Sequence, residues 1–108
     1  MKLILAVVQN KDSARLSQAL LEGNYRVTKL ASTGGFLRKG NTTFLIGTDD
    51  DKVQDVLDTI KTHCKARQQL VTPVSLMGSG VDAYTYPIEV EVGGATVFVM
   101  PVESFHHF

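Results

Sequence analysis

The chain has 108 residues, 44% of them apolar and 20% charged, with eleven basic side chains balanced by eleven acidic ones. That size suits one domain with a modest core, and a net charge of zero argues against general nucleic-acid binding, which depends on cationic neutralisation of phosphates. A single Cys64 rules out an internal disulfide, and no segment nears the ~20 apolar residues that span a bilayer. We therefore expect one cytoplasmic domain over residues 1–108, with no membrane insertion and no nucleic-acid partner.

Leu3–Val8 is an unbroken apolar run of strand length, closed by polar residues. Asp12 or Ser13 is placed to cap a helix carrying Ala14, Leu16, Ala19 and Leu20 at helical spacing, with Gly23 as its left-handed stop. Tyr25–Ser32 alternates and predicts a second strand, Thr33–Gly40 is a Gly-rich loop, and Asn41–Gly47 is a third strand. Thr48-Asp49-Asp50-Asp51 supplies hydroxyl and carboxylate caps for a second helix. Its apolar stripe is Val53, Val56, Leu57, Ile60 and Cys64, and Lys65 and Arg67 stand near its negative end. Leu70–Tyr86, with Pro73, Gly78 and Gly80, predicts a loop too long for a simple connection, either functional or mobile. Ile88–Val92 alternates, Gly93-Gly94 matches a two-residue hairpin turn, and Ala95–Val102 returns as a strand.

This order predicts an α+β fold: a ferredoxin-like βαββαβ sandwich with an extra C-terminal hairpin. Helices of such a fold cover one face of the sheet, and a face left to water alternates apolar with polar. Leu3–Val8 and Val97-Phe98-Val99-Met100 do not alternate. A second apolar face needs a cover, and another copy of the chain is the simplest one.

Few residues suit catalysis. Cys64 belongs to the apolar stripe, which reads as a buried structural thiol, and its neighbour His63 points about 100° away on a helix. His106 and His107 lack a second ligand cluster at metal-binding spacing, so no metal is expected. The run Thr33-Gly34-Gly35-Phe36-Leu37-Arg38-Lys39-Gly40-Asn41-Thr42-Thr43 is the positive signal. Glycines let the backbone approach an anion, Arg38 and Lys39 add charge, Phe36 offers a stacking face, and Asn41 carries the donor–acceptor pair that matches adenine. Asn24, Arg26 and Thr28 share one face of the second strand. The run is neither a P-loop nor a dinucleotide fingerprint. From these residues alone it is an anion or nucleotide site, or else an ordinary hairpin tip with basic neighbours.

Asn24-x-Arg26-x-Thr28, the segment Thr33–Gly47 and the segment Gly93–Val102 together resemble the PII-like cyclic-di-AMP receptor proteins of Gram-positive bacteria, and the likeness spans the chain. The resemblance implies a PII-like homotrimer that binds cyclic-di-AMP between subunits, signals to an unidentified downstream protein through changed loops, has no catalytic activity and needs no cofactor. Carried over by position, the ligand contacts are Asn24, Arg26 and Thr28, then Gly35, Phe36 and Leu37 towards the phosphates, Asn41 and Gly47 as a pair at one adenine, and Phe98 as a pocket wall. His107 stands where the family commonly has Gln beside the C-terminal Phe. Two other readings share the topology. A PII-type sensor of ATP has its long loop after the second strand, where this chain has a short Gly-rich turn. An acylphosphatase-like enzyme has a phosphate loop before the first helix, where this chain has Gln9-Asn10-Lys11-Asp12.

Overall fold

The structure, a computed structural model, describes residues 1–30, 40–71 and 88–108. Strand β1 (Lys2–Gln9) leads into helix α1 (Asn10–Glu22), followed by β2 (Arg26–Leu30) and β3 (Asn41–Thr48). A 3-10 turn at Asp50–Lys52 opens onto helix α2 (Val53–Cys64), and β4 (Arg67–Val71), β5 (Ile88–Val92) and β6 (Ala95–Pro101) complete the order. The main sheet is antiparallel in the order β2-β3-β1-β6, while β4 and β5 pair only with each other. Both helices lie on one face. This is a small ferredoxin-like, PII-like α+β domain with a two-stranded ribbon inserted between α2 and the last core strand.

Period-two alternation makes the sheet two-sided. Ile4, Ala6 and Val8 of β1 with Phe44 and Ile46 of β3 face the helices, where Leu16, Leu20, Val56, Ile60 and Cys64 close a fully buried core. The opposite face carries Leu3, Leu5 and Val7 of β1, half-buried, and Phe98 and Met100 of β6, which are 54% and 37% exposed. No described element covers it. The apolar second face expected from Leu3–Val8 is therefore present.

Several local expectations are corrected. The hairpin expected across Gly93-Gly94 does not form: Ile88–Val92 pairs with Arg67–Val71, and Ala95–Pro101 pairs with β1. Gly93 and Gly94 instead turn a corner, with φ of 81° and 94°, and the Gly94 amide donates to the carbonyl of Cys64 at the end of α2. A Gly-Gly pair meets the backbone need of either turn, so the dipeptide alone does not choose the partner strand. Arg67–Val71, placed partly at the helix end and partly in a loop, is a strand, and the rest of the expected long loop falls within residues 72–87, outside the described residues.

Gly23 does not provide the left-handed stop. Its φ is −80°, and Asn24 takes the positive φ of 63°, which an Asn side chain tolerates better than most. Neither helix is capped by the side chains expected. Helix α1 begins at Asn10, so Asp12 and Ser13 lie inside its first turn. Asp50 meets the Met1 amino group at 3.1 Å rather than capping α2, whose N-terminal cap position is Lys52.

Asp12 has a different task. It is 1% exposed, and its Oδ1 accepts from Arg67 Nη2 at 2.9 Å and from Arg15 Nη2 at 3.0 Å. The Arg67 guanidinium, chiefly through these hydrogen bonds, holds the Asp12 carboxyl below the usual carboxylate range. Around this pair the Gly93 amide donates to Gln9 Oε1 at 2.7 Å, and Lys11 Nζ donates to Gln69 Oε1 at 2.8 Å. The ribbon is thus anchored on the first turn of α1 by polar contacts. Both arginines reach solvent, so removing the carboxylate costs less than the 3–5 kcal/mol of a fully buried broken pair. Asp12→Ala should lower the unfolding free energy by about 2 kcal/mol in urea titration. Because the folded carboxyl is depressed, its stabilisation is complete above the unfolded value near 3.8 and is lost as the pH falls through the folded value. Wild type should lose stability in that acid window, and Asp12→Ala should lose less.

Candidate ligand site

Cross-strand register decides which side chains share the uncovered face. Arg26 pairs with Gly47, which pairs with Leu3, which pairs with Met100. The next row is Thr28, Leu45, Leu5 and Phe98, and Asn41 pairs with Gln9 at the far end of β3. Arg26, Thr28, Asn41, Gly47 and Phe98, five of the residues singled out from sequence, therefore lie on one face of the sheet. Asn24 does not belong to the strand and precedes it in the left-handed turn.

These residues do not gather at one point. Asn24, Arg26 and Gly47 line a cavity of about 490 Å³ that also includes Thr48, Asp49 and Lys52. Asn41 borders a second cavity, of about 340 Å³, with Gln9, Thr96, Gly93 and Gly94. Asn41 and Gly47 are six residues apart on one strand, about 20 Å at 3.3 Å per residue, so within one chain they do not meet the same base. Thr28 and Phe98 occupy one row but opposite edge strands, about 14 Å apart across three strand spacings. Gly35, Phe36 and Leu37 lie outside the described residues. His107 is exposed in the tail after β6. That tail leaves the sheet where Pro101 pairs with Lys2 and Lys2 with Thr48, the end that holds the larger cavity.

Gly47 departs from strand chemistry. Its φ is not left-handed, and a Cβ built there would meet nothing within 4 Å. Glycine inside a strand is costly relative to residues with side chains, and nothing within the described chain requires it. The missing side chain leaves open ground beside Arg26. Sequence reasoning missed Lys52 as a cation at this cavity, because its neighbours Asp49–Asp51 read as helix caps. It also missed Gln9, whose place beside Asn41 follows only from the strand register.

Cys64 has the surroundings of a structural thiol. Cys64 is fully buried, and burial with the nearby Asp12 charge pushes its thiol up to about 11. Among the described residues no three His, Cys, Asp or Glu side chains are arranged to hold a metal ion, and no helix is long and apolar enough to cross a membrane.

The two cavities, of about 490 and 340 Å³, thus lie towards opposite ends of β3. The sequence matches the cyclic-di-AMP receptor family over residues 1–108, the whole chain, and the protein belongs to that family. It is also similar to a solved structure, a functionally unknown protein from Pediococcus pentosaceus ATCC 25745, at 45% identity and a TM-score of 0.79, with 99% of this chain and 96% of that chain covered.

The thiol supplies a direct check on the core. Ellman's reagent at pH 8 should leave Cys64 unmodified over minutes in native protein and react fully in denaturant. Fast native labelling would mean that α2 does not pack as described.

Proposed function

We propose that this protein is a cytoplasmic receptor that binds cyclic-di-AMP between subunits of a homotrimer and, in doing so, changes its affinity for a downstream protein. It performs no chemistry on the ligand. The observation that carries the reading is the common placement of Arg26, Thr28, Asn41, Gly47 and Phe98 on the sheet face that no helix covers.

The spread of these residues fits a site shared between chains. Separations of about 20 Å along β3 and about 14 Å across the sheet are too great for one base to be held by one protomer. A ligand made of two nucleotide units, lying across a junction, takes the Arg26–Gly47 end of one protomer together with residues from its neighbour. The apolar side chains Leu3, Leu5, Phe98 and Met100 supply the surface that such a junction buries. Arg26 offers a charge-assisted contact to a phosphate, and Asn41 matches the donor–acceptor edge of adenine. Gly35, Phe36 and Leu37 contribute backbone amides to the phosphates in this reading, and Asn24 and His107 close the pocket at the Gly47 end.

Titration calorimetry with cyclic-di-AMP, cyclic-di-GMP and ATP side by side tests the assignment. The expected result is tightest binding of cyclic-di-AMP, with one ligand per protomer of a species whose mass by light scattering is three chains. No heat with cyclic-di-AMP, or tighter binding of ATP, would overturn it.

Two substitutions probe the site itself. Arg26→Ala should weaken binding about 10- to 100-fold, the equivalent of losing one charge-assisted contact of roughly 1.5–3 kcal/mol. Gly47→Val should weaken binding at least tenfold while leaving the melting temperature unchanged or raised, because the space that the new side chain enters is empty within the chain. An unaltered affinity in both variants would remove the larger cavity from the site.

A further inference from the structure

The first turn of α1 touches both ends of the molecule's functional geometry. On one side, the Asn10 amide donates to the Gly40 carbonyl at 2.9 Å, Thr42 Oγ1 donates to Asn10 Oδ1, and Gln9 is the cross-strand partner of Asn41. On the other side, Gln9 Oε1 accepts from the Gly93 amide, Lys11 reaches Gln69, and Asp12 holds Arg67 through both carboxylate oxygens, at 2.9 and 3.4 Å. Four consecutive residues, Gln9 to Asp12, thus join the chain around Asn41 to the base of the ribbon.

The smaller cavity runs between the same two parties, bordered by Asn41 on one side and by Gly93 and Gly94 on the other. Gly93 shows how little slack the junction has. A Cβ there would fall 2.5 Å from Arg67 Nη1 and 2.8 Å from the Lys65 carbonyl. Among the described residues β4 and β5 pair only with each other, and a lone two-stranded ribbon is marginal in water. Its position therefore follows the junction.

We infer that the first turn of α1 is a coupling element, through which occupancy of the Asn41 end of the sheet tightens the β4–β5 ribbon. The inference rests on the ligand reading above. Ligand held at Asn41 fixes Gly40, Asn41 and Thr42, and these fix Gln9 and Asn10. Gln9 and Asp12 then hold Gly93 and Arg67 in one arrangement. Both parties contact one element, and coupling carried through it is reciprocal: what ligand does to the ribbon, a freed ribbon undoes in ligand affinity.

Hydrogen exchange by mass spectrometry on the full chain, with calorimetry on the same samples, tests this. In wild type, saturating cyclic-di-AMP should slow amide exchange in Arg67–Val71 and Ile88–Val92 about fivefold. Arg67→Met removes the ribbon's side of the junction without touching Asn41. It should exchange fast in both strands with or without ligand, and bind cyclic-di-AMP about fivefold more weakly. Asp12→Asn, which removes the carboxylate that holds Arg67 and lies outside the lining of the Asn41 cavity, should behave the same way and carries the test if Arg67→Met does not fold. Heat of binding in wild type with no change in ribbon exchange overturns the coupling alone, as does unchanged affinity in a folded variant. No heat in wild type overturns the ligand reading and the coupling together.

Discussion

The rest of the structure depends on a sheet whose central strand is apolar on both faces, while the described helices cover only one. Ile4, Ala6 and Val8 are spent on the intramolecular core, while Leu3, Leu5 and Val7 point the other way with Phe98 and Met100 beside them. Among the described residues there is no further helix to lay over that surface. The uncovered face and the candidate site are consequently one surface, because the register that sends Leu3 and Leu5 outward also sends out Gly47, Leu45, Arg26 and Thr28 in the same rows. Polar and cationic positions sit on the β2 edge, and apolar ones run from β3 and β1 out to the β6 edge. An assembly that buried the apolar strands would leave the β2 edge at the margin of the contact.

The polar counterpart of that constraint is the Asp12 cluster. Apolar burial is non-directional and does little to fix the angle of a protruding ribbon. A buried carboxylate held by two guanidinium groups does, since bidentate pairs fix orientation as well as distance. Arg15 comes from the same helix as Asp12 and secures the carboxylate, which leaves the Arg67 contact to set where β4 begins. Losing Arg67 therefore unmoors the ribbon without leaving Asp12 wholly unpaired.

Much of this was legible before any coordinates. The helix stripes Leu16–Leu20 and Val56–Ile60–Cys64 and the non-alternating β1 and β6 are periodic features, and periodicity survives without knowledge of partners. What was not legible is pairing. Gly93-Gly94 satisfies a tight hairpin as well as a corner, and only the competition of β1 for β6, and of β4 for β5, decides between them. Asp12 and Asp50 look like capping residues because any acidic side chain near a helix start suits the dipole. Their actual partners, Arg67 and the Met1 amino group, lie 55 and 49 positions away in sequence. For the site, Arg26 and Thr28 were placed on a common strand face, and Gly47 and Phe98 came from family likeness. Asn24 was set on the same strand because alternation cannot foresee a residue at φ 63°. The pairing of Asn41 with Gly47 at one base also comes from family likeness, and within one chain six strand positions separate the two.

Two glycines separate what the chain explains about itself from what it does not. Gly93 is required from within: its φ is positive, and Arg67, Lys65 and Asp12 crowd the place of a Cβ. Gly47 is allowed any side chain by its own surroundings and still has none, at a position where a strand is weakened by glycine. Among the described residues nothing accounts for a glycine there. Arg26 beside it has the complementary property, a charge on a face otherwise rich in apolar side chains. The absence at Gly47 and the charge at Arg26 share one cavity, and in the function proposed above that pairing suits a ligand flat enough to approach a backbone and anionic enough to hold a guanidinium.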